Sequence, residues 1–177
     1  MNYDIKIYVA CLAAYNNGIL HGAWIDVNKD YDEVMKEVRD MLASSPMPDA
    51  EEWEIHDTDC DLPYFKPENY SIRQLCDIAD QLENETAEEH IEPFLGWCQH
   101  TGNDIDFDAY QDFLGLYLGE FDSEADFCEE QYEELFGEIP ESLRYHIDWE
   151  SMAEEWFINS YLSVDNADRN VYVFIQG

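Results

Sequence analysis

The residues of this chain that could do chemistry are overwhelmingly carboxylates, and carboxylates offer three readings: a cation site, an acid–base pair or a polyanionic surface. Two runs alternate in the manner of a calcium loop, Asp57-x-Asp59-x-Asp61 and Asp104-x-Asp106-x-Asp108. A helix–loop–helix calcium site requires glycine at the sixth loop position and glutamate at the twelfth. The first run places Leu62 and Glu68 there, with Pro63 and Pro67 breaking the loop, and the second places Ala109 and Gly115. Among 42 acids such alternation follows from composition, and no metal site is expected. The same abundance empties the acid–base reading, because any two carboxylates could be nominated.

Other catalytic groups are scattered. His21, His56, His90, His100 and His146 lie apart, and only His56-Asp57 and Cys98-x-His100 are suggestive neighbours. Neither has a third ligand at zinc spacing or the surroundings of a nucleophile. No GxGxxG or GxxxxGK[ST] phosphate loop occurs. Neither an enzyme nor a cofactor is indicated.

The polyanionic reading survives. Between residues 124 and 138 the acids are Glu124, Asp126, Glu129, Glu130, Glu133, Glu134 and Glu138. On a helix, Asp126/Glu130, Glu129/Glu133, Glu130/Glu134 and Glu134/Glu138 are like-charge pairs, each destabilising by roughly a few tenths of a kcal/mol. Solvated faces mix signs, whereas this one carries no base. Residues four apart rise about 6 Å along a helix, and phosphates of one DNA strand rise about 3.4 Å per step along a winding path. The spacings are compatible, and the pattern favours mimicry of a phosphate backbone. Asp104, Asp106, Asp108, Asp112, Glu120 and Asp122 extend the candidate surface toward the N-terminus.

Charge over the whole chain agrees. The 42 acids oppose eight bases, a formal net charge of −34. Residues 1–73 hold 15 acids and six bases; residues 74–177 hold 27 acids and two bases, Arg144 and Arg169. Such a chain repels nucleic acid and anionic membrane and steers basic partners toward itself. Duplex DNA carries one charge per about 1.7 Å, so 34 charges match roughly 58 Å of duplex. A compact chain of this length is about 40 Å across. Self-repulsion therefore favours an elongated shape.

The chain is not a disordered tail, because 46% of its residues are hydrophobic and 15% aromatic. Five cysteines, an odd number without a CxxC pair, and no signal peptide indicate a reduced, cytoplasmic protein. No apolar run approaches the roughly 20 residues of a membrane span.

The elements that would position these groups follow from periodicity and caps. Residues 5–10 alternate as a strand, and Asn16-Asn17-Gly18 turns into a second strand over 19–27, a hairpin. Asp30 caps a helix to residue 43, with Tyr31, Val34, Met35, Val38, Met41 and Leu42 on one face. Residues 52–56 form a third strand. Ser71 caps the next helix, and another, with Pro93 in its first turn, ends near His100. Helices over 106–114 and from Ser123 to Gly137 flank a strand over 116–121. A helical turn at Pro140, a helix capped by Asp148 and a strand over 170–175 complete the chain. The expected fold is α+β, an elongated chain of three small domains in line. These are an N-terminal α+β domain (1–66), a central helical domain (67–103) and a C-terminal acidic α+β domain (104–177).

Ordered blocks along the chain resemble one family. Residues 7–16 (IYVACLAAYN) and 20–26 (LHGAWID) closely resemble the opening of the ArdA antirestriction proteins. Residues 51–57 (EEWEIHD) resemble their next block, and 117–123 (YLGEFDS) a mid-chain signature. Ile139-Pro140-Glu141-Ser142-Leu143 and Ile147-Asp148-Trp149-Glu150-Ser151-Met152-Ala153 resemble the antirestriction motif, and residues 171–174 the terminal strand. The resemblance implies a DNA mimic that occupies the DNA-binding groove of Type I restriction–modification enzymes, encoded on mobile genetic elements. It also implies a homodimer joined through the C-terminal domain. Where the family usually continues the motif with Arg and Asp, this chain has Glu154-Glu155. The alternative is an acidic mimic or interaction module aimed at another DNA-binding protein.

Overall fold

The computed structural model describes residues 4–176; residues 1–3 and 177, which fall in the first and last expected domains, lie outside the described residues. Strand β1 (Lys6–Cys11) buries Ile7, Val9 and Cys11 on one face and lies between β2 (Gly22–Asp26) and β3 (Trp53–Asp59), antiparallel to both. The expected hairpin pairing forms, with a different connection. Leu12–Asn16 coils into a short helix, α1, ended by a hydrogen bond from Asn17 Nδ2 to the Ala13 carbonyl (2.9 Å), so β2 begins at Gly22 rather than at Ile19. Helix α2 (Tyr31–Ala43) lays Val34, Val38 and Met41 against the sheet. Asp30 precedes it as expected, but its carbonyl starts the helix while its side chain makes no capping bond.

Strand β3 takes in Asp57 and Asp59. The first two acids of the Asp57-x-Asp59-x-Asp61 run are therefore on a strand, with Asp57 opposite Tyr8 and Asp59 opposite Lys6, and Asp61 lies beyond its end.

Helix α3 (Ile72–Asp80) opens with a reciprocal capping box: Ser71 Oγ accepts from the Gln74 amide, and Gln74 Oε1 accepts from the Ser71 amide. The chain then widens into a π turn (Gln81–Glu85), tied by buried Gln81 and Thr86, whose side chains bond to each other. A 3-10 turn over Glu88–His90, a stretch without a clear periodic signal, leads into α4 (Ile91–Thr101), where Pro93 occupies the first turn and needs no donor. Asp106 caps α5 (Phe107–Leu116) by accepting from the Ala109 amide.

The second sheet has the order β4-β6-β5, formed by Tyr117–Phe121, Val171–Ile175 and Tyr161–Asp165. Strand β5 is absent from the sequence expectation. It follows helix α8 (Trp149–Asn159) after one residue, with no glycine or proline to mark the change. Helices α6 (Glu124–Phe136), α7 (Glu141–Arg144) and α8 complete this end of the chain.

Central strand β6 is apolar on both faces, which is what burial between two layers demands. Tyr172 and Phe174 join the core that also contains β1, α3, α4 and α5 residues, and Phe174 meets Phe113 at 6.0 Å between ring centroids. Val171 and Val173 face a second core of Phe127, Cys128 and Ala153 on α6 and α8. The molecule exposes 10884 Å², against about 8,900 Å² for a compact monomer of its mass.

Candidate functional site

Helix α6 is anchored in the core by Phe127. Phe127 is fully buried, with rings of Tyr161 at 4.7 Å, Phe121 at 5.0 Å and Phe157 at 5.7 Å. Ser123 caps the helix by accepting from the Asp126 amide (3.1 Å) and donates its hydroxyl to the Asp126 carboxylate. With Phe127 and Cys128 turned inward, the acids separate into two rows. Asp126, Glu130 and Glu134 stand exposed at i, i+4 and i+8, a stripe about 12 Å long. Glu129 and Glu133 lie half-buried on the flank toward α7.

That flank corrects the expectation of a helix without a base. Arg144 reaches back from α7 and donates from Nη1 to Glu129 Oε1 and from Nη2 to Glu133 Oε1. Glu133 Oε1 also accepts from the Ile139 amide (3.4 Å), knitting the 137–140 linker to the helix. Sequence reading missed Arg144. The available signal was its rarity, as one of two bases after Arg73.

The remaining acids divide in the same way. Glu120 accepts from Asn166 Nδ2 (2.7 Å) and Asn170 Nδ2 (2.9 Å) and braces the β5–β6 turn. Glu124 accepts from the Ser163 hydroxyl, and Asp106 is spent as the α5 cap. Asp104, Asp108, Asp112, Asp122, Glu130 and Glu138 are exposed and make no side-chain hydrogen bond or ion pair within the described residues. Of the thirteen candidate carboxylates these six are free of internal partners, whereas Asp126 accepts from the Ser123 hydroxyl and Glu134 from Gln131 Nε2 (3.2 Å) while both stay exposed.

The residues resembling the antirestriction motif lie on α7, its approach and the start of α8. Asp148 caps α8 by accepting from the Ser151 amide (3.0 Å), and Trp149 packs edge-on against Tyr132 of α6 (5.8 Å). Ile139 and Ala153 are buried; Ile147, Trp149 and Met152 are half-buried. Pro140, Glu141, Leu143, Glu150, Glu154 and Glu155 are exposed. A groove of about 350 Å³ runs between Tyr132, Phe136, Ile139, Pro140, Leu143 and Ile147. Its lining also includes Glu138 and His146, and Phe136 is 68% and Leu143 53% exposed.

The histidine neighbours singled out in the sequence have other surroundings among the described residues. Cys98 is buried with its thiol pushed up to about 12 by desolvation and then by Asp106 and Asp104, while His100 is exposed. His90 bonds the Tyr110 hydroxyl (2.9 Å) among aromatic rings, and His56 meets the Tyr15 ring edge-on at 4.7 Å. Among the described residues no three His, Cys, Asp or Glu side chains are placed to hold a metal, and no helix is long and apolar enough to cross a membrane. The model of the antirestriction protein (ArdA) family matches residues 7–168 of the 177. No curated protein matches the chain.

Proposed function

The chain belongs to the ArdA antirestriction protein family, and from that premise we propose that it is a DNA mimic that inhibits Type I restriction–modification enzymes by occupying their DNA-binding groove. The observation that carries this reading is the set of exposed carboxylates with no side-chain partner among the described residues, Asp104, Asp108, Asp112, Asp122, Glu130 and Glu138, together with the exposed Asp126 and Glu134 of α6. A groove built to bind phosphates presents fixed cations, and this surface offers anions without the desolvation cost of breaking internal pairs. Inhibition is then competition, and the chain itself performs no chemistry. Because exposed ion pairs are individually worth about 0–1 kcal/mol, affinity comes from their number.

Three further features belong to the same proposal. The chain forms three small units in line, divided near residues 66/67 and 103/104, and the surface excess of about a fifth over a compact globule supports an extended shape. It acts in the cytoplasm, where its target works. It pairs with a second copy through the C-terminal unit, where the apolar margin of Leu135, Phe136, Leu143 and Tyr145 is 53–83% exposed. Glu154 and Glu155, exposed on α8, replace the Arg and Asp usual in the family and leave this part of the motif without a cation.

Salt tests the reading. Affinity for a purified Type I enzyme is expected to fall steeply as ionic strength rises, as phosphate binding does. Binding insensitive to salt would place the contact on the apolar groove instead.

A further inference from the structure

The open face of the N-terminal sheet carries aromatic and charged groups that the proposed inhibition does not use. The inner face of β1, β2 and β3 is buried, and the outer one is not covered in the same way. Its centre is Tyr8 on β1, opposite Trp24 on β2, with ring centroids 5.5 Å apart and planes inclined at 54°. Trp24 is 50% exposed, unusual for so large an apolar side chain. The Tyr8 ring lies flat across Gly22: a β-carbon there would sit 2.7 Å from Tyr8 Cζ and 2.5 Å from the Val9 carbonyl oxygen. Glycine at 22 thus lets the tyrosine lie down beside the indole.

Carboxylates frame this pair. By register, Asp26 lies opposite Lys6 on one side and Asp59 opposite it on the other, while Asp57 faces Tyr8 and Glu54 faces Ala10. A bulge between Tyr8 and Val9 shifts the register so that Glu54, Asp57 and Asp59 share this face. Lys6 is the one lysine or arginine among these strand residues and its amine pairs with Asp4 (3.2 Å), while His56 Nε2 on β3 lies 3.8 Å from Glu54 Oε2. The frame is therefore left with net negative charge around an aromatic centre.

We propose that this open sheet face is a docking surface for an arginine-bearing segment of a basic protein. A guanidinium stacks on an aromatic plane and forks to carboxylates, whereas an ammonium does the first poorly and the second only as a point charge. Within this chain Arg73 shows such a contact, its guanidinium carbon 3.9 Å from the Tyr31 ring centroid. The outer strands stand about 10 Å apart, so one cation cannot serve Asp26 and Asp59 together and a segment carrying several can. The surface is separate from the α6 stripe, and the proposal does not depend on the inhibition described above.

The test is a binding titration of the full chain with a short oligoarginine peptide and an oligolysine peptide of the same length. A surface that is merely anionic holds both through charge, and its preference does not pass through Trp24. The expected result is arginine binding about threefold tighter or more, with the preference reduced to near unity in Trp24→Ala and retained in Trp24→Phe. Circular dichroism of both variants confirms the fold. A preference absent from the unaltered chain, unchanged in Trp24→Ala or lost equally in Trp24→Phe overturns the proposal.

Discussion

Arg144 of α7 donates to Glu133 of α6 across eleven residues of chain, and through that contact the region resembling the antirestriction motif is pinned to the acidic helix. The same guanidinium takes Glu129, so one positive charge is shared by the two acids of the inner row and the outer row is left to solvent. A helix that looks uniformly repulsive in sequence is compensated on one flank in the fold.

Replacing Arg144 with alanine leaves Glu129 and Glu133 facing each other without a cation. The groups are partly solvated, which discounts the pair, and the expected loss is about 1 kcal/mol. Urea denaturation measures it, and Arg144→Lys, which reaches one carboxylate at a time, should recover only part.

The exposed outer row predicts distributed binding. Reversing Asp126, Glu130 or Glu134 singly to lysine should weaken inhibition by less than about fivefold each. Reversing all three together should abolish it. Loss of inhibition from a single change would point to one decisive contact and against a spread of weak ones.

Strand β6 predicts where the structure is least tolerant. Phe174 is fully buried between the Phe113 and Tyr117 rings and the strand itself. Phe174→Ala should cost about 3–5 kcal/mol, measured by thermal or urea unfolding. Ile175, 42% exposed at the strand end, should tolerate alanine at well under that cost.

These particulars show what was legible beforehand. Helices α3, α5, α6 and α8 announce themselves through Ser71, Asp106, Ser123 and Asp148, because an N-cap is a local event. Strand β5 was not legible: Tyr161-Leu162-Ser163-Val164-Asp165 becomes a strand only because β6 offers an edge. Helix α1 hid before an Asn-Gly turn that already explained the reversal. The acids could be read, but not which were free. That depends on Arg144, Ser163, Asn166 and Asn170, which lie 11 to 50 residues from their carboxylates.

Buried thiols set the alkaline limit. Desolvation raises Cys98 from 9.0 to about 12, and Cys76 and Cys128 to about 11. Their folded values lie above the unfolded one, so the folded state binds more protons between the two. The stability they contribute is fully present below pH 9 and is lost as pH rises through 11 to 12. The urea midpoint should therefore fall above about pH 9, and Cys98→Ala should flatten the fall. A midpoint unchanged up to about pH 11 would contradict those shifts.

Inhibition of a Type I restriction–modification enzyme with DNA concentration varied bears most directly on the central claim. If the exposed carboxylates stand where phosphates would lie, the concentration needed for half-inhibition rises in proportion to DNA. A half-inhibition concentration that stays constant across DNA concentrations would mean that the protein and DNA bind different places, and the mimicry account would be wrong.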